Sequence, residues 1–519
     1  MHDVPDEINL LTLNCWGLKF ISKLRRERMS EIGRQISIAN PPPRHHYQSI
    51  RSQTRFSLPY GKFYFSAALG GGLAILSRWP IEESTMYRYP LNGRPTAFWR
   101  GDWYVGKGIA CAKIRYGPAA KQVVEVFNTH THAPYEGGKP NDSYLCHRTA
   151  QSWEMAKLLR GAAEKGHLVL AMGDFNMIPM SLEHQIVTAL APVRDTWRVL
   201  HPDSSLGPAT HPTEQARHRP VPTAEFNIQE NGAASDGPYN TWRWPKAQQK
   251  LLGPGKPPVP VEPNTLDPRG KRLDYIFAGS GDIQALGGGW TVKRVSVGMT
   301  MRHPELGCSL SDHFAVEATL AFHPSPQLPE TNSISNLDSS PAAVASTLQS
   351  TDGALKSKTE SALHNGAYLQ LASPTPSTTN IADAADPASQ LHSFLHASPD
   401  VLPPTAYQTI TNLIKQYRTR EQGQQAWRGY HFFASVAATI ACLVGVWFVP
   451  HNYISFILVL VSSLSLTAGT VDGLMSLLFF RSELKALREF EWEVRNSNGA
   501  LGGKVAEGSG DVEEEWNES

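Results

Sequence analysis

Up to about Phe322, short apolar runs alternate with stretches of helical periodicity. Ile8 to Leu13, Val123 to Phe127, Leu168 to Met172 and Phe314 to Leu320 have the length and apolar density of buried strands. Ser22 to Ile36 and His147 to Ala163 predict helices between them, with Trp153, Ala156 and Leu159 on one face as core. This alternation predicts an α/β domain. Polar residues cluster at the run ends: Asn14 after the first, Asn128-Thr129-His130 after the second, Gly173-Asp174-Phe175-Asn176 after the third, and Ser311-Asp312-His313 before the last. Chemistry is therefore expected at strand ends.

The pattern changes twice more. Residues 198–271 are rich in Pro, Gly and polar side chains, with one denser island, Asp236 to Arg243, and read as a long insertion. Residues 323–406 turn to Ser, Thr, Pro and Ala, a mixture with too little apolar surface to fold alone, and read as a tether. A basic juxtamembrane segment, 407–429, precedes two apolar stretches, 430–449 and 453–480, each long enough to cross a bilayer core of about 30 Å. Asp472-Gly473 is expected to interrupt the second. Lys415, Arg418, Arg420 and Arg428 precede this hairpin, and Arg481, Lys485 and Arg488 follow it. The connecting turn has neither Lys nor Arg, so both termini and the first domain are expected on the cytoplasmic side of an intracellular membrane. Residues 481–519 read as a juxtamembrane helix and an acidic, disordered tail.

At 519 residues the chain exceeds one ordinary core. Its 48 Lys and Arg against 47 Asp and Glu leave no broad basic footprint, which argues against a nucleic-acid partner. The five cysteines are scattered without metal-type spacing and read as reduced thiols, and no cleaved secretory signal is visible at the N-terminus.

Asp174 and Asn176, at the exit of one apolar run, are expected to share a pocket in which an ionised carboxylate and a neutral amide orient a phosphate or a water. His313 is a candidate general base, with Asp312 beside it to orient the ring. His130 is a candidate donor to a phosphoryl oxygen, held charged by Asp274 of Arg272-Leu273-Asp274-Tyr275, and His132 is the weaker candidate. Gly101 to Gly108 fits G-x-x-x-x-G-K, but Gly108 stands where a nucleotide loop needs Ser or Thr, so ATP binding is rejected. Trp99, Trp103 and Lys107 instead suit contact with anionic lipid, the alternative being a buried aromatic cluster.

In this order, the motifs around Asn14, His130, Asp174, Asp274 and His313 resemble the endonuclease/exonuclease/phosphatase superfamily. The similarity is closer to neutral sphingomyelinases and fungal inositol phosphosphingolipid phospholipase C, through Leu11 to Gly17, Gly70 to Arg78 and the C-terminal hairpin. It covers most of residues 7–322. The resemblance implies a four-layer α/β/β/α sandwich and Mg²⁺-dependent hydrolysis of a membrane sphingolipid to ceramide and a phosphorylated head group. It implies Asn14 and His313 at the metal, His313 also as the base oriented by Asp312, Asp174 and Asn176 on water and phosphate, and His130, paired with Asp274, on the developing charge.

One part of the family pattern is missing. The resemblance implies a second strand carrying a Gln-Glu pair whose Glu binds the metal, yet no Asp or Glu lies between Glu31 and Glu82. His45 and His46 occupy that place, and neutral imidazoles are poor partners for hard Mg²⁺. The rival expectations are a catalytically impaired lipid-binding protein of the same fold, or a phosphatase of the same superfamily.

Overall fold

The structure, a computed structural model, describes residues 4–18, 21–37, 46–136, 142–324 and 402–500. Most of the expected tether, the acidic tail and the segment around His45 lie outside the described residues. The chain divides into two compact units, one of residues 1–133 and 151–402, the other of residues 134–150 and 403–519.

The first unit contains eleven described strands: β1 (Glu7–Thr12), β2 (Tyr60–Phe63), β3 (Ala74–Ser77), β4 (Ile81–Arg88), β5 (Gly108–Arg115), β6 (Val123–His130), β7 (Leu168–Asp174), β8 (Arg194–Asp195), β9 (Asp274–Gly279), β10 (Gly288–Gly298) and β11 (Ala315–Pro324). They form a six-stranded sheet in the order β4-β5-β6-β7-β9-β8, a three-stranded sheet β1-β11-β10 and a pair β2-β3. Apolar side chains of the two larger sheets interdigitate in one core. Ile8, Val292, Val316 and Leu320 come from the smaller sheet, and Ile114, Val126, Leu170 and Ile276 from the larger. Such a face-to-face pairing hides one face of each sheet.

Helices cover the outer faces. Every residue of β7 is buried, so this strand is covered on both sides. The helix Leu145–Glu164 buries Trp153, Ala156 and Leu159, as their spacing predicts, and its Glu154 accepts a 2.6 Å bond from Tyr87 of β4. Met29 and Ile32 of the helix Arg25–Ser37 pack with Leu310 beside Ile50 of the helix His46–Thr54. This is the α/β/β/α sandwich. Among the described residues β1 pairs with β11 alone, so its other edge carries no strand, and β2-β3 stands as a separate ribbon.

The insertion is ordered, not structureless. Its turns are closed by side-chain caps, such as Thr223 on Phe226 N and Asn240 on Trp242 N, and by buried polar bonds, such as Asn227 Nδ2 to Asp267 Oδ2 at 2.7 Å.

In the second unit the first apolar stretch falls on the end of the helix Pro404–Gly445 and the 3-10 turn Val446–Phe448, and the second on the helix Asn452–Leu474 and a π-helical turn Met475–Phe480 that leads into the helix Arg481–Ala500. Among the described residues, two helices are long and apolar enough to cross a membrane. Asp472 does not interrupt the second. Its carboxylate is paired with Arg428 and, at 2.7 Å, with His431, so the charge is matched inside a continuous helix. A Cβ on Gly469 or Gly473 would strike Ser435 or Phe432, so these glycines permit the close approach of the two helices.

Candidate active site

Strand register assembles the site. β6 and β7 run parallel with His130 opposite Asp174, and β7 and β9 run antiparallel with Asp174 opposite Asp274. Residues directly opposite one another present their side chains on the same face, so three neighbouring strands line up one imidazole and two carboxylates at one end of the sheet. Gly173 permits this, because a Cβ there would run into the Thr129 carbonyl of β6. Two segments come from the smaller sheet: Asn14 follows β1 and His313 precedes β11, two strands paired in register from Glu7 and Ala321 to Thr12 and Val316.

Asp174 is the hub. Its Oδ2 accepts 2.9 Å from Asn14 Nδ2 and lies 3.5 Å from His130 Nε2, while its Oδ1 accepts 2.9 Å from the Asn176 backbone N–H. Asn176 adopts a left-handed φ of 47°, tolerable for Asn, and donates from Nδ2 to Thr131 O at 3.1 Å. Asn14 Oδ1 accepts from Trp16 N at 3.0 Å. Burial opposes the charge on Asp174, but His313 and these donors outweigh it and hold the carboxyl below its ordinary range.

His313 pairs with Asp274. The Nδ1 to Oδ2 separation is 2.6 Å, and both side chains are buried. The expected pairing of His313 with Asp312 and of Asp274 with His130 is therefore corrected. Neighbouring residues of an extended chain point to opposite sides, which turns Asp312 away from the ring, and the β7–β9 register delivers Asp274 instead. Burial alone would depress His313, but Asp274 and Asp174 prevail and raise it to about 10. Asp312 is raised by burial and takes a 3.4 Å contact from Ser311 Oγ.

His130 is not held as a cation. Desolvation and the Lys107 ammonium lower its basicity, so it is a neutral donor or acceptor. His132 is fully buried and bonded through Nδ1 to Gln151 at 2.5 Å, away from the row. Lys107 is buried beneath the site, where Nζ donates 2.8 Å to Thr131 O and lies 3.5 Å from Asp102 Oδ1. It presents no charge to a lipid surface. Trp99 is 72% exposed and Trp103 is 38% exposed, so the aromatic part of that expectation faces solvent.

Asp174, Asp274 and His313 each offer a ligand atom within 4.8 Å of the others, a metal-capable group among the described residues. Asp274 Oδ1 is buried without a hydrogen-bond partner. Two hard carboxylates, one with an orphaned oxygen, and the Asn14 amide fit a divalent cation that takes one or two protein carboxylates and leaves its other positions to water and phosphate.

Sequence reasoning missed the support beneath Asp274. Arg272 NH1 meets both oxygens of Asp195, at 2.8 and 2.6 Å, and His184 Nε2 meets Oδ2 at 3.2 Å. No local signal joins them, because Arg272 and Asp195 are 77 residues apart in the sequence.

A two-sheet sandwich with this row of groups at its strand ends defines a hydrolytic centre of the acid–base, metal-capable type. The chain belongs to the Endonuclease/Exonuclease/phosphatase family, which matches residues 33–313, more than half of it. It is 39% identical to the inositol phosphosphingolipids phospholipase C of Schizosaccharomyces pombe, over 61% of this chain and 69% of that protein. It is 30% identical to the protein of the same name in Saccharomyces cerevisiae, over 94% of this chain and 89% of that one. Similarity to sphingomyelin phosphodiesterase 2 of Homo sapiens is 29%, over 62% and 66% of the two chains.

Proposed function

We propose that this chain is a membrane-tethered phospholipase C that hydrolyses the phosphodiester of sphingolipids to ceramide and a phosphorylated head group. The observation that carries this reading is the His313–Asp274 pair facing Asp174 and Asn14, joined to a chain with two membrane-length helices. The names of its relatives point to the same substrate class.

Asp274 fixes the His313 ring through Nδ1 and leaves Nε2 as the atom that takes the proton of the attacking water. Asp174, itself oriented by Asn14 and the Asn176 N–H, directs that water toward phosphorus. Asn176 and the neutral His130 donate to the phosphoryl oxygens as charge grows there, the bond from phosphorus to the ceramide oxygen breaks, and that oxygen leaves with a proton drawn from solvent. Asn14, Asp174 and Asp274 would hold Mg²⁺, which when bound polarises the phosphoryl oxygen and offsets the carboxylate charge that keeps His313 protonated.

The hairpin brings the unit to its substrate. Exposed Trp427, Tyr430 and Phe433 at one end and Trp447, Phe448 and Tyr453 at the other match interfacial aromatic belts, with a rise from Tyr430 to Trp447 of about 25 Å. The flanking cations favour a cytosolic catalytic unit. Trp99, Trp103 and neighbouring Phe98 would rest on the lipid surface, where anionic phospholipids are the expected additional contacts.

One observation favours a second reading, a lipid-binding protein with impaired catalysis. The edge of β1 carries no strand among the described residues, where the family pattern brings a metal-binding Glu. Purified full-length protein, presented with phosphoinositol- and phosphocholine-headed ceramides in vesicles, separates the two. The enzyme reading expects Mg²⁺-dependent release of phosphorylated head group, abolished by a chelator. Lipid binding without turnover of either substrate establishes the second reading.

A further inference from the structure

A cavity of about 290 Å³ lies in the folded insertion, lined by Pro208, Thr210, Asp236, Arg243, Arg269 and Lys271. It is tied to the catalytic histidine by one residue: Ser235 forms backbone bridges both to Lys271 and to His313. The opposite wall is equally fixed. Asn240 Nδ2 donates 3.1 Å to Ser311 O, and Trp242 Nε1 donates 2.8 Å to Ser309 O, which clamps the Asp236 to Arg243 island onto the segment that precedes His313.

The charge of this cavity is lopsided, with three cations against one carboxylate. Asp236 adopts a left-handed φ of 65° and spends both oxygens on its neighbours, 2.6 Å to Arg243 Nε and 3.0 Å to Lys271 Nζ. That holds two cations at the rim, with the terminal nitrogens of Arg243 left beyond its bond to Asp236 and the more distant Asp312 carboxylate within its electrostatic reach. No aromatic side chain lines the cavity, so it lacks the ring faces that bind a quaternary ammonium, and its surplus positive charge repels one.

We propose that this cavity is the head-group subsite and that it selects a phosphorylated polyol of the phosphoinositol type over phosphocholine, through Arg243, Arg269 and Lys271 as donors, with Asp236 holding Arg243 and Lys271 in place. The size is that of a head group, at the small end of ligand pockets. The proposal deepens the phospholipase reading and rests on it for the position of the reacting phosphate, but its test does not require turnover.

Titrate the full-length protein with inositol 1-phosphate, phosphocholine and inorganic phosphate by isothermal calorimetry. Inositol 1-phosphate should bind at least tenfold more tightly than either rival. Arg243→Ala and Lys271→Ala should each erase most of that preference, and Arg243→Lys should restore part of it, with circular dichroism and thermal midpoint as checks that each variant folds. Phosphocholine binding as tightly as inositol 1-phosphate overturns the proposal, as does a folded double variant that keeps the preference. Equal binding of inorganic phosphate overturns it too, leaving a general anion site. Selective binding without hydrolysis of any lipid would count against the phospholipase reading and leave this subsite standing.

Discussion

Three buried or half-buried aspartates, in two regions of the molecule, each meet a histidine, and only one of them is left incomplete. In the hairpin, Asp472 divides its oxygens between Arg428 and His431. At the base of β9, Asp195 gives both oxygens to Arg272 and one to His184. At the strand ends, Asp274 gives one oxygen to His313, keeps the other without a partner, and faces a second carboxylate across the sheet. A carboxylate saturated by cations holds structure, whereas one opposed by a like charge and left with a free oxygen is poised for a cation or a reacting group.

Substitutions sharpen this contrast in order of size. His313→Ala should lower sphingolipid hydrolysis by up to about 10⁴-fold, and Asp274→Asn by about 10²-fold, with the fold retained by circular dichroism. Asp195→Ala should do the reverse in kind. It strands a buried guanidinium and costs about 3–5 kcal/mol in chemical denaturation of the purified protein, while the folded fraction keeps its turnover. Equal loss of stability in Asp274→Asn and Asp195→Ala would erase the distinction. Asp472→Asn should weaken hairpin packing by about 1–2 kcal/mol, read by thermal melting in detergent, without altering turnover of soluble substrate analogues.

The smallest effect is one of pH. His313 is raised from 6.5 to about 10, so between those values the folded state carries a proton that the unfolded chain has lost. The stability that the raised imidazole contributes is fully present below about 6.5 and is lost as pH rises through 10, while Asp274, pushed up to about 6 by burial, disfavours its own ionised form. In the presence of a chelator the thermal midpoint should fall by about 2–4 °C more in the parent protein than in His313→Asn across that range.

The strands were legible because Leu168 to Met172 and Phe314 to Leu320 are dense apolar runs, and a strand buried on both faces needs no alternation to announce itself. The polar signatures were legible because they end those runs. Their partnerships were not. Sequence neighbours suggested Asp312 for His313, but the partner is Asp274, 39 residues away on another strand, which no local pattern encodes. The insertion was unreadable for a related reason: its order comes from caps and buried amides such as Asn227, Asn231 and Asn240, which in sequence resemble the polar content of any loop. The continuity of the second apolar helix through Asp472 was hidden because its counter-charges, Arg428 and His431, sit on the other helix.

The central claim is that His313, Asp274 and Asp174 direct water to the phosphorus of a sphingolipid. Hydrolysis of phosphoinositol-headed ceramide by the full-length protein in water enriched in oxygen-18, with Mg²⁺ present, tests it most directly. The account predicts the heavy oxygen in the released phosphorylated head group, unlabelled ceramide, and loss of both products in His313→Ala. No product from the parent protein, or labelled product undiminished in His313→Ala, would contradict it.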